Sequence, residues 1–119
     1  MGERQIILWR HGRTSWNAER RFQGQSNIEL DDEGRAQAER AAELLAYLEP
    51  DRIIASDLAR AWATAQALSA RTGVHVTADA RLRETFAGEW EGLSRAELLE
   101  RHGDEVARWA SDSAARPGG

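Results

Sequence analysis

An Arg-His-Gly triplet occurs twice in this chain, at 10–12 within WRHGRTSWN and at 101–103 within ERHGDEV. A histidine flanked by cations can act as a nucleophile toward an anionic centre, provided its ring is kept neutral and one nitrogen is free. The first triplet directly follows QIILW, an apolar run that reads as a buried strand. Arg10 and His11 therefore stand at the carboxyl end of a strand, where open α/β sheets bind their ligands. Gly12 lets backbone approach a ligand closely, and Thr14, Ser15 and Asn17 add hydroxyl and amide groups. The second triplet ends a predicted helix, SRAELLER. There Arg101 and His102 suit the negative helix end, and Gly103 is expected in the left-handed conformation. His75, in VHVT, reads as an ordinary strand residue. His11 is the catalytic candidate.

Two further strand ends offer charge on the same rim. SDLARAWATA places Arg60 in the first turn of a helix just past the strand RIIAS, and a guanidinium at a helix N-terminus cradles anions. RLRETFAGEWEGL puts Glu84 past the third predicted strand.

Strands at 5–9 (QIILW), 52–56 (RIIAS) and near 74–82 (VHVTADARL) must position these groups, with two helices between them. The first helix, in DDEGRAQAERAAELLAYLEP, carries Ala38, Ala41, Ala42, Leu45 and Leu48 on one face and stops at Pro50. The second, in DLARAWATAQALSARTG, carries Leu58, Ala61, Trp62, Ala65 and Leu68, with Gly73 as C-cap. Strand–helix–strand–helix–strand is the order of an α/β fold with a parallel sheet. Residues 10–27 read as a long loop, and Ser94 with Glu97 opens one or two further helices. Among the five tryptophans, Trp9 and Trp62 are expected in the core, Trp16 and Trp90 at the rim of the site.

The 119 residues suit one domain, and a net charge of −4 argues against non-specific nucleic-acid binding. All 16 basic residues are arginine. Without cysteine there is neither a disulfide framework nor a thiolate nucleophile. The apolar run at the start is too short for a signal peptide or a membrane span, so no membrane partner and a cytoplasmic location are expected.

The stretches RHGRTSWN, RFQGQSNIELDDEGRAQA, SDLARAWATA and LRETFAGEWEGL, in this order, resemble the successive motifs of the histidine phosphatase superfamily. The resemblance implies a phosphoglycerate mutase-like three-layer α/β/α fold with a mostly parallel sheet. It also implies phosphomonoester hydrolysis through a phosphohistidine, without cofactor or metal, on small sugar or glycerate-type phosphates. His11 matches the nucleophile, Glu84 the proton donor, and Arg10 and Arg60 the phosphate-binding arginines. Thr14, Asn17, Gln23 and Gly24 match substrate-binding positions. The donor role asks for a shielded carboxyl, with Phe86 and Trp90 excluding water from Glu84. Thr85 and Phe86 break the Glu-Arg-His-Tyr-Gly pattern of the mutase branch, which favours the phosphatase branch. The alternatives are mutase-type phosphoryl transfer and a phosphate-binding relative with little turnover. A second family histidine, in a Ser-His-Gly-Gly stretch on a strand central to the sheet, has no match here. The resemblance thus implies that 1–119 is the N-terminal portion of a single phosphatase domain. Its sheet would be completed by the remaining C-terminal segment or by a second copy.

Overall fold

Side-chain caps open three of the four α-helices among the described residues. The computed structural model describes residues 4–112 and 114–118. Thr14 and Asn17 form a reciprocal capping box that opens α1 (Ser15–Ala18), a single turn inside the stretch expected as loop. Asp31 accepts the Gly34 N–H at 2.7 Å and, with Asp32 and Glu33, opens α2 (Asp32–Ala46). The chain then enters β1 (Ile53–Ala55), α3 (Ala59–Thr72) and β2 (Val76–Ala78). Gly73, at φ 75°, closes α3 in the left-handed conformation, as expected. The two strands pair in parallel with Ile53 opposite Val76, so α3 is the crossover of a βαβ unit. This is an α/β fold with a parallel sheet.

Small residues let the helices pack closely. Ala38 and Ala42 of α2 meet Ala65, Ala67 and Leu68 of α3 and Ile53 and Ala55 of β1 in one buried cluster. Trp9 and Leu45 pack against it, whereas Leu48 is exposed and Trp62 only half-buried. A second, separate cluster holds Ala87, Trp90 and Leu98, flanked by Phe22, Leu93 and Val106. Leu98 comes from α4 (Arg95–Ser111), which opens on the expected Ser94–Glu97 capping box.

Two expectations are corrected. Residues 5–9 form no strand: Ile6 and Leu8 are 90% and 92% exposed, and the run has no ladder partner among the described residues. A strand exists only through its neighbours, and apolar composition cannot supply one. Gly103 is not left-handed. The break in α4 falls on His102 itself (φ −135°, ψ 27°), whose Nδ1 lies 3.1 Å from the Glu105 carboxylate while its ring sits beside Trp90.

The radius of gyration is 16.5 Å. A closed domain of this length would have about 13.5 Å. The exposed Ile6, Leu8 and Ile54 agree with an open apolar edge.

One backbone contact fixes the loop that follows residues 5–9. Gly12 and Gly34 face each other so closely that a Cβ on Gly34 would collide with the Arg13 carbonyl. Glycine-to-alanine exchange in a helix ordinarily adds about 0.5–1 kcal/mol of stability. Here the sign should reverse: Gly34→Ala is expected to lose about 1–3 kcal/mol, read as a lower urea midpoint.

Candidate active site

His11 is held from one side of its ring. Its Nδ1 lies 2.7 Å from the Gly12 carbonyl oxygen, which can only accept, so Nδ1 carries the proton and Nε2 keeps its lone pair. The Gly12 N–H donates to the Thr64 hydroxyl at 3.0 Å, and that hydroxyl donates to the Arg60 carbonyl at 2.8 Å. A single side chain on α3 thereby ties the His11–Gly12 loop to the helix turn that carries Arg60.

Arg60 is 2% exposed. Its guanidinium donates to the carbonyls of Gly24 and Ser26, each at 2.6 Å. Both partners are neutral, and burial pulls its pKa below the usual arginine value against the opposing pull of Glu84 and Glu91. A buried cation held by carbonyls alone is a receptor for an anion.

His11, Arg60 and Glu84 meet around a cavity of about 180 Å³, which Ser56, Leu58, Ala61, Leu82 and Arg83 also line. The three predicted rim positions therefore converge. Arg10 is exposed, yet its charge acts on the His11 ring. Burial is the main cause that lowers the His11 pKa below the ordinary imidazole value of 6.5; Arg60 and Arg10 add to it, while the Gly12 bond and Glu84 oppose it.

None of the residues matched to substrate binding, Thr14, Asn17, Gln23 and Gly24, lines this cavity. The buried Thr14 hydroxyl donates to Gln23 Oε1 at 2.6 Å, and the Thr14 N–H donates to Asn17 Oδ1 at 3.0 Å. Gly24, at φ 53°, supplies one of the carbonyls that grip Arg60.

The expected shield of Glu84 is absent. Phe86 is 60% exposed, and Trp90, fully buried rather than at the rim, packs edge-on against Phe22 and Trp109 in the second cluster. Glu84 is an exposed side chain that accepts the Thr85 N–H at 3.0 Å.

Sequence reasoning missed Asp57 and Arg83. Arg83 Nε and a terminal nitrogen donate to the two Asp57 oxygens at 2.7 and 2.6 Å, which lowers the Asp57 pKa and pins the Glu84 segment to the β1–α3 loop. Both residues follow strand ends, and the rim rule that found Arg60 and Glu84 would have found them. Thr64 and Glu91 carry no such signal, because their partners lie 52 and 65 residues away. Among the described residues, no three His, Asp or Glu side chains gather as a metal-ligand set, and no helix is long and apolar enough to cross a membrane.

A family model described as histidine phosphatase superfamily (branch 1) matches residues 6–119. Glucosyl-3-phosphoglycerate phosphatase of Mycobacterium tuberculosis (strain ATCC 25618 / H37Rv) is 43% identical over 120 residues, covering 100% of this chain and 53% of that protein. The 2,3-bisphosphoglycerate-dependent phosphoglycerate mutase of Caulobacter vibrioides (strain NA1000 / CB15N) is 42% identical over 110 residues, 87% of this chain and 46% of that one. A solved structure of a mycobacterial glucosyl-3-phosphoglycerate phosphatase complexed with VO3 matches with a TM-score of 0.83 at 44% identity, over 90% of this chain and 51% of that one. The chain spans about half the length of the curated relatives it matches.

The lowered His11 pKa has a signed consequence. The neutral ring predominates above its folded pKa, which lies below 6.5, so an acid limb due to His11 belongs below pH 6.5. Arg60→Met removes a neighbouring cation that disfavours the imidazolium. The His11 titration followed by NMR should then move upward toward 6.5. A midpoint unmoved or lowered would refute the assigned electrostatics.

Proposed function

Because the chain belongs to branch 1 of the histidine phosphatase superfamily, we propose that it forms the nucleophile-bearing part of a phosphomonoesterase working through phospho-His11. The observation that carries this reading is the buried Arg60 guanidinium, anchored by two carbonyls and facing the same cavity as His11. A phosphomonoester dianion supplies the directly bonded anionic partner that Arg60 lacks among the described residues.

Nε2 of His11 attacks phosphorus in line, and the N–P bond forms as the ester P–O bond breaks. Arg60 and Arg10 stabilise charge on the equatorial oxygens. Glu84 in its acid form gives a proton to the leaving alkoxide. The resulting carboxylate then takes a proton from water, whose oxygen attacks phosphorus, breaks the N–P bond and releases inorganic phosphate. Asn17 and Gln23 spend their carbonyl oxygens inside the loop, and we assign their amide N–H groups to the substrate, beside the backbone of Thr14 and Gly24. No metal or cofactor enters these steps.

The names of the relatives favour a small phosphorylated sugar or glycerate ester, with glucosyl-3-phosphoglycerate the first to try. We place this activity in the cytoplasm. We read residues 1–119 as the N-terminal portion of one phosphatase domain, since the relatives are about twice as long.

Rapid quenching during turnover of p-nitrophenyl phosphate should trap an acid-labile, base-stable phosphate on His11. His11→Ala should remove the adduct and lower kcat by about 10³-fold or more. Glu84→Gln should slow hydrolysis of alkyl phosphates far more than of the p-nitrophenyl ester, whose leaving group needs no proton. Turnover that survives His11→Ala would sink the mechanism. Phosphate binding without any turnover would favour the binding-only reading.

A further inference from the structure

One carboxylate outside the cavity gathers the segment that holds Arg60. Glu91 Oε2 accepts the backbone N–H of Ala87 at 3.0 Å and of Gln25 at 3.3 Å, and Oε1 accepts the Ser26 hydroxyl. The residues on either side of Gln25, Gly24 and Ser26, present the two carbonyls that hold Arg60. Gln25 also reaches across with its side-chain amide to the Glu84 carbonyl at 3.2 Å. The fit is tight: a Cβ on Gly24 would stand 2.6 Å from Glu91 Oε2 and 3.0 Å from the Ala87 side chain.

From this geometry we infer that Glu91 is a positioning residue: its carboxylate fixes the 24–26 segment so that Arg60 is aimed at the phosphoryl group, and ties that segment to the one that begins with Glu84. Carbonyls are weak partners for a buried guanidinium unless they are held in place. Three donors converging on one carboxylate hold them. The Ser26 hydroxyl and the backbone N–H groups outweigh burial and keep Glu91 below its ordinary pKa, so it is the anion that does the holding. This inference rests on the phosphatase reading for its meaning, but phosphate affinity tests it separately.

The full-length enzyme should be compared with Glu91→Ala, Glu91→Gln and Glu97→Ala for inorganic phosphate affinity, for kcat and KM on p-nitrophenyl phosphate, and for urea midpoint. Glu91→Ala leaves two backbone donors and a hydroxyl without their acceptor, and should weaken phosphate binding and raise KM by about tenfold or more. Glu91→Gln should recover most of the affinity, because its amide oxygen can take both N–H groups while its amide nitrogen donates to Ser26. Glu97→Ala removes a cap on α4 and an ion pair to Arg21, away from the cavity. It should lower the urea midpoint and leave phosphate affinity unchanged. If Glu91→Ala does not fold, Ser26→Ala removes one of the three donors and should weaken phosphate about threefold. Wild-type affinity in Glu91→Ala, or in Ser26→Ala where that variant stands in, overturns the inference. So does an equal loss of affinity in Glu97→Ala, which would mark a general loss of stability. An enzyme that binds phosphate in a Glu91-dependent way yet shows no His11-dependent turnover keeps this inference and overturns the phosphatase reading.

Discussion

A guanidinium buried without a direct carboxylate partner is the constraint on which this structure depends. Removing such a charge from water costs several kcal/mol unless its donors are met. Arg60 meets that demand with the carbonyls of Gly24 and Ser26. The solution joins the two otherwise separate hydrophobic clusters. Arg60 belongs to α3, which packs in the cluster around Ala42, whereas the 24–26 segment is held by Glu91 and Ala87 beside Trp90 in the other. The polar seam between the clusters is the site.

Charge along that seam is divided by function. Arg83 and Asp57 neutralise each other in a two-pronged pair, and Arg13 and Asp31 pair through one contact beside α2. These pairs fasten loops and leave little net field. Among the described residues Arg60 and Arg10 have no such partner; burial lowers the His11 pKa most, and these two charges add to it in a field that would also favour an anion in the cavity.

Much of this was legible in the sequence because it depends on local chemistry. Ser94 with Glu97 and Gly73 announce helix ends, RIIAS and VHVT announce strands, and the rule that strand ends share a rim brought His11, Arg60 and Glu84 together before any coordinates. The carbonyl beside Gly12 was expected to fix the His11 tautomer, and it lies at hydrogen-bond distance. What failed depends on distant partners. QIILW has strand composition but no ladder partner among the described residues, and Trp90 is drawn into an aromatic cluster with Phe22 and Trp109 that its local sequence does not reveal. At His102 the sequence located the helix break but named the wrong residue, since glycine is not obligatory where one residue leaves helical geometry on the negative-φ side. Glu91 was invisible because the contacts that give it its role, to Gln25 and Ser26, lie 66 and 65 residues away.

The unpaired 5–9 run raises the question of why His11, only two residues beyond it, is nonetheless well placed. A sheet strand would ordinarily fix the residue at its end. Here the anchors lie after the strand position. The Gly12 N–H is held by Thr64, the Gly12 backbone is pressed against Gly34, and Arg13 bonds to Gln37 and Asp31 through its backbone and side chain. These contacts all run to α2 and α3, which share the alanine-rich core and need no further strand to pack. The arrangement of His11 and Arg60 therefore follows from helix packing and a few long-range hydrogen bonds. The described residues thus bring His11, Arg60 and Glu84 to one cavity while Ile6, Leu8 and Ile54 stay exposed.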